Sequence, residues 1–213
     1  MRTHEEEIVN AYTHLLSSVM GLVFGTIIVT GNTLDVSSKA VLLIMILTSS
    51  WTFFASFLYH KTFESKLRER NRLLDRVGIY IMIMGSGVAT SLTCENFLIS
   101  VLSSSMLILI SCFLIANMCI KRDLPEWFCV SSYILLGWLG IFPALGILGP
   151  SGFTQCDMLW LLLLSGGFYS IGVLFYSNDS HKWFHTIWHI FVMLGYACHF
   201  IAEVNALKVL SIH

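Results

Sequence analysis

Charged residues are scarce in this sequence. Asp, Glu, Lys and Arg supply 12% of its 213 residues, 56% are apolar, the net charge is −1 and the mean hydropathy is +0.77. Soluble domains carry about 25% charged residues, so an ordinary soluble fold is excluded, and no nucleic-acid partner is expected. The six cysteines show no CxxC or zinc-ribbon spacing, so they build no metal site. A basic secretory leader is also missing. The opening "MRTHEEEIVNAYTH" is acidic and polar, and the first apolar run is therefore expected to be retained. Fixed-period repeats and low-complexity segments are absent, which points to a single domain over 1–213.

What is present is a succession of apolar runs. Seven can be marked, over 10–32, 39–60, 76–93, 97–120, 127–148, 158–176 and 185–209. Each is near the ~20 residues that cross a ~30 Å hydrocarbon core. Helices satisfy their own backbone groups in lipid, so the expected fold is all-α, a polytopic bundle of seven transmembrane helices. Orientation follows from the basic residues of alternate loops. Arg2, Lys61, Lys66, Arg68, Arg70, Arg72, Arg76, Lys121, Arg122 and Lys182 fall on one side, and Lys39 and Lys208 on the other. The N-terminus is expected to be cytoplasmic and the C-terminus outside.

Four histidines lie in or just before the last run, "HKWFHTIWHIFVMLGYACHF". An ionisable side chain at membrane depth is costly and marks a functional site by default. The second run ends at His60 and the seventh opens at His185, so His60, His185 and His189 fall in one layer at the cytoplasmic boundary. On one helix His185 and His189 are ~40° apart in angle and ~6 Å apart in height. That separation suits two ligands of one metal ion. His199 lies ~15 Å beyond His189, out of reach of Zn–N bonds of ~2.0–2.1 Å. It is expected to be a buried neutral histidine bonded to a backbone or hydroxyl group, and His181, in "SNDSHK", a solvated one.

Other polar residues fall at the same level. Asp75 opens the third run in "LDRVGIY", and Glu7, Asn10 and His14 form one stripe of the first. Glu5 and Glu6 are expected to be wetted by cytoplasm. Cys112, Cys119 and Cys198 read as small apolar fillers. Cys94 and Cys156, in or beside outer loops, could pair in an oxidising compartment.

These elements carry a family resemblance. "SFLYH", with Ser56 one turn before His60, then "LDRVGIY" with Asp75, then "HTIWH" followed by "CHF", resembles the hemolysin III proteins of bacteria, which belong with the progestin and adiponectin Q receptors. "EEIVNAYTH", "GWLG" and "GGFYSIGVLFY" extend the likeness across nearly the whole chain. The resemblance implies seven helices, a cytoplasmic N-terminus and a zinc ion held by His60, His185 and His189. It also implies that Ser56 and Asp75 flank a water on that ion. The chain departs from the family at "MGSGVATSL", where a Thr-x-Thr-Pro-like run is usual, so the wall beside Asp75 differs.

Three neutral histidines leave a fourth position open, as in catalytic rather than closed structural zinc sites. Asp75 is then placed to act as general base or to orient the water, and Ser56 to donate to a developing oxyanion. The expected function is a zinc-dependent hydrolase of lipid amide or ester bonds, with membrane lipid as substrate or ligand, in the bacterial inner membrane. Two readings stand beside it: a non-enzymatic receptor or lipid-homeostasis sensor with a structural zinc, and a cytolytic protein of the hemolysin type. Seven apolar spans argue against the soluble form that a secreted toxin needs. The oligomeric state stays open.

Overall fold

A computed structural model of the chain describes residues 3–31, 33–93, 96–121, 124–145 and 154–210. Among them the backbone forms seven α-helices and no strand: α1 (His4–Gly31), α2 (Val36–Lys61), α3 (Ser65–Leu92), α4 (Phe97–Lys121), α5 (Glu126–Leu145), α6 (Thr154–Ser177) and α7 (Phe184–Leu210). Each is long and apolar enough to cross a membrane. The chain is an integral membrane protein of all-α fold.

Two helices in particular, α1 and α3, start well before hydropathy places them. α1 begins at His4 because Thr3 and Glu6 form a reciprocal cap. The Glu6 N–H donates to Thr3 Oγ1 at 3.3 Å, and Thr3 N–H donates back to Glu6 Oε2 at 2.8 Å, which satisfies donors that a helix start leaves open. α3 begins at Ser65, so most of the basic stretch read as a loop is helix. Lys, Leu, Arg and Glu are good helix formers, and a hydropathy window ends at Arg76 although the helix does not. α2 opens on Asp35, whose carboxylate accepts from Ser38 N–H at 2.8 Å and Ser37 Oγ at 2.7 Å. Those serines hold its carboxyl down at about 2.

The lateral order is set by small residues at close crossings, as expected where lipid competes with every apolar contact. A Cβ at Gly78 would lie 3.2 Å from the Thr52 Cα, and the Thr52 hydroxyl donates to the Gly78 carbonyl at 2.7 Å. α2 and α3 meet there backbone to backbone. A core of Val29, Leu42, Met45, Ile46 and Phe53 packs against Val192 and Tyr196 of α7. Leu47, Leu109, Phe142, Leu174 and Ile201 face outward, towards lipid. Cys112 and Cys119 do the same, so they line the outer surface instead of filling gaps; Cys198 is half-buried. Cys94 and the side chain of Cys156 lie outside the described residues, and so does their pairing.

The helices alternate in direction, which brings the starts of α1, α3, α5 and α7 and the ends of α2, α4 and α6 to one end of the bundle. His60 and His185 are at that end.

Candidate metal centre

His60 stands in the last turn of α2, and His185 and His189 one turn apart at the start of α7. All three are buried, with His60 at 0% and His189 at 1% exposure. Each offers one ring nitrogen, and those atoms lie within 4.8 Å of one another. The ring centroids are 5.1 Å apart for His60 and His185, 5.0 Å for His60 and His189, and 4.8 Å for His185 and His189.

The hydrogen bonds behind the rings fix which nitrogens carry protons. His60 Nδ1 is 2.6 Å from Glu7 Oε2, and Arg68 Nη2 donates to the other Glu7 oxygen at 2.7 Å. An ionised carboxylate only accepts, so the Nδ1 of His60 carries the proton. Its Nε2 is buried and has no hydrogen-bond partner among the described residues. A buried acceptor of that kind calls for a ligand. His189 is fixed by a different device. Its Nδ1 lies 3.2 Å from Thr13 Oγ1, whose single proton goes to the Asn10 carbonyl at 2.9 Å. The Thr13 oxygen therefore accepts from His189 Nδ1–H, and Nε2 carries the lone pair. For His185, Asp179 Oδ2 is 3.9 Å from Nδ1.

Carboxylate or hydroxyl partners of this kind orient histidine ligands and raise their basicity. The donor set therefore fits a divalent metal that takes imidazole, zinc among them. His14 stacks on His189 with centroids 3.6 Å apart and planes at 10°. Parallel rings do not aim their lone pairs at one point, so His14 supports the cluster from the side.

Ser56 and Asp75 line one cavity with His14, His185 and His189. This cavity spans about 1310 Å³, its opening to solvent included, and is walled mainly by α3, α5, α6 and α7 with contributions from α1 and α2; its walls are mainly apolar. Ser56 is buried and Asp75 half-buried. The structure thus brings the five residues singled out in the sequence to one region.

Glu6, expected to be wetted, is buried and bonds the Trp183 backbone N–H at 2.7 Å. Trp183 precedes α7 with φ at 67°, a left-handed conformation disfavoured for a bulky residue. One carboxylate thereby caps both α1 and α7. Glu5 is exposed, as is His181. His199 bonds a hydroxyl, with Nε2 2.9 Å from Thr90 Oγ1. Its neighbour Glu203, at 0% exposure, was not singled out in the sequence; an acid in the apolar run of α7 was the available signal.

Comparison with known proteins agrees with this architecture. Residues 2–200 match the family model described as "Haemolysin-III related". The chain is 29% identical over 215 aligned positions to a hemolysin-3 homolog of Bacillus subtilis (strain 168), covering 94% of this chain and 93% of that protein. It is 28% identical over 208 positions to a hemolysin-3 of Bacillus cereus, covering 92% of this chain and 89% of that protein.

Proposed function

The chain belongs to the haemolysin-III related family, and from that premise we propose that it is a zinc-dependent hydrolase of lipid amide or ester bonds in the bacterial inner membrane. The observation that carries the reading is the buried, lone-pair Nε2 of His60, set beside His185 and His189 at the wall of a largely apolar cavity. His60, His185 and His189 would hold the ion. A zinc there would supply Lewis-acid polarisation of a carbonyl and would lower the pKa of a water to near ~7.

The protein's own groups do the rest. Glu7 and Thr13 hold the rings of His60 and His189 in the tautomer that presents Nε2. Asp75 accepts the proton of the attacking water and returns it to the leaving amine or alcohol. A C–O bond forms at the carbonyl carbon and a C–N or C–O bond breaks. Ser56, one turn before His60, donates to the oxyanion that develops. The apolar walls bind the acyl chain and exclude bulk water.

A non-enzymatic lipid sensor with structural zinc uses the same ligands. The cavity that reaches Asp75 favours the enzyme, since a closed structural site needs no open approach. The names of the two Bacillus relatives suggest a cytolytic activity, and seven apolar helices weigh against a soluble toxin form. The deciding experiment is metal analysis of the protein in bilayers, with an assay against ceramides, lysophospholipids and fatty amides. Bound zinc with no hydrolysis of any of them would favour the sensor.

A further inference from the structure

The cavity has a second polar end. Ser165 of α6 lines it with 0% exposure, and its hydroxyl has no hydrogen-bond partner among the described residues. A buried polar group left so is rare and calls for a ligand or a water. The α6–α7 register sets His199 level with it. Gly195 lies against the Tyr169 ring, and Leu162 and Ala202 share one cluster, antiparallel pairings that put residue 199 opposite 165. His199 lines the same cavity.

The ring of His199 is held from behind. Its Nε2 lies 2.9 Å from Thr90 Oγ1, and the one proton of that hydroxyl goes to Glu203 Oε1 at 2.5 Å or to the Ser86 carbonyl at 3.1 Å. In either case the Thr90 oxygen accepts from His199 Nε2–H, with Glu203 Oε1 3.6 Å from the same nitrogen, and on the neutral ring Nδ1 is the acceptor. Thr93 holds the other Glu203 oxygen at 3.2 Å. The far end of the cavity thus offers a hydroxyl donor on Ser165 and a ring acceptor on His199. A ligand hydroxyl matches both, donating to Nδ1 and accepting from Ser165. A carboxylate or ketone could not donate to the ring. Between this end and the histidine trio the lining includes Phe53, Met82, Ile83 and Val192.

We infer that the cavity selects an acyl chain bearing a hydroxyl about ten to fourteen carbons from its polar head, a length that spans the ~15 Å from His189 to His199. Ser165 and His199 bind that hydroxyl. This rests on the reading of the cavity as a lipid site.

The test uses full-length protein in lipid nanodiscs carrying a fluorescent fatty acid, titrated with dodecanoic acid and with ω-hydroxydodecanoic acid. Affinities are corrected for partition into the bilayer. Wild type should bind the hydroxy acid roughly three- to tenfold tighter, the net worth of one or two hydrogen bonds. Ser165→Ala, which removes a single oxygen, should abolish that preference. His199→Phe should do the same, and His199→Gln, which keeps an acceptor, should restore part of it. Equal binding of the two acids by wild type, or a preference that survives Ser165→Ala, overturns the hydroxyl subsite alone. If neither acid displaces the probe, the lipid reading of the cavity falls, and the subsite with it.

Discussion

Glu7 touches His60 with one carboxylate oxygen at 2.6 Å and Arg68 with the other at 2.7 Å. The protonation of a ring that ends α2 is thereby set from the first turn of α1 and braced from α3. Arg68 is itself positioned, stacked 4.6 Å over the Tyr59 ring and bonded to the Thr62 carbonyl at 2.8 Å.

Removing this brace should weaken metal binding without removing a ligand. Glu7→Ala is expected to lower zinc affinity about 10–100-fold, the usual loss when a partner behind a histidine ligand goes. Competition with a chromophoric chelator measures it. Unchanged affinity would mean that His60 is not a ligand.

The ligand set itself separates by depth. His189→Ala should strip the zinc from purified protein, while His199→Ala keeps it, because His199 lies ~15 Å further along α7. Elemental analysis reads both. Loss of zinc from a folded His199 variant would place the ion elsewhere.

Asp75→Asn should keep its zinc and lose about 10²–10⁴-fold in lipid turnover, the range of a general acid–base contribution. His60→Ala should lose both. A fully active Asp75→Asn would refute the proton-transfer role.

Glu6→Ala should destabilise the fold by about 1–3 kcal/mol, since it opens a helix cap and leaves the Trp183 N–H without its acceptor. Glu5→Ala, on the exposed neighbour, should stay within about 0.5 kcal/mol of wild type. Thermal unfolding in one detergent compares the two, and equal melting would argue that Glu6 carries no such tie.

Orientation is tested by fusion. A reporter after His213 should read outside and one near Arg68 cytoplasmic, by the bias of Lys and Arg towards the loops on that side. Two reporters on one side would contradict the alternation of seven spans.

Helix number and the histidine layer were legible because both depend on period and length alone. His185 and His189 share a face wherever α7 is a helix, and His60 shares their level once α2 runs the other way. Glu6 was misread because its partner is a backbone N–H at Trp183, far along the chain, which no local pattern announces. The start of α3 was missed for a simpler reason: hydropathy reports where lipid begins, and "SKLRERNRLL" is helical without being apolar. Ser165 carries no signal in the sequence beyond a serine inside an apolar run. Its meaning lies in the absence of a partner, which only packing reveals.

The polar tie between α1 and α7 has a consequence for biogenesis. Glu7 and Thr13 belong to α1, which leaves the ribosome before the other six described helices, while His185 and His189 of α7, and the Trp183 N–H just before it, leave after them. Until α7 emerges, Glu6, Glu7 and Thr13 must wait with at most part of their final bonding, and His60 waits with them. The histidine layer closes only when the seventh helix docks against the first. Occupancy of the site by metal would therefore report that α7 has docked, and a nascent chain stalled before α7 would lack two of the three histidines.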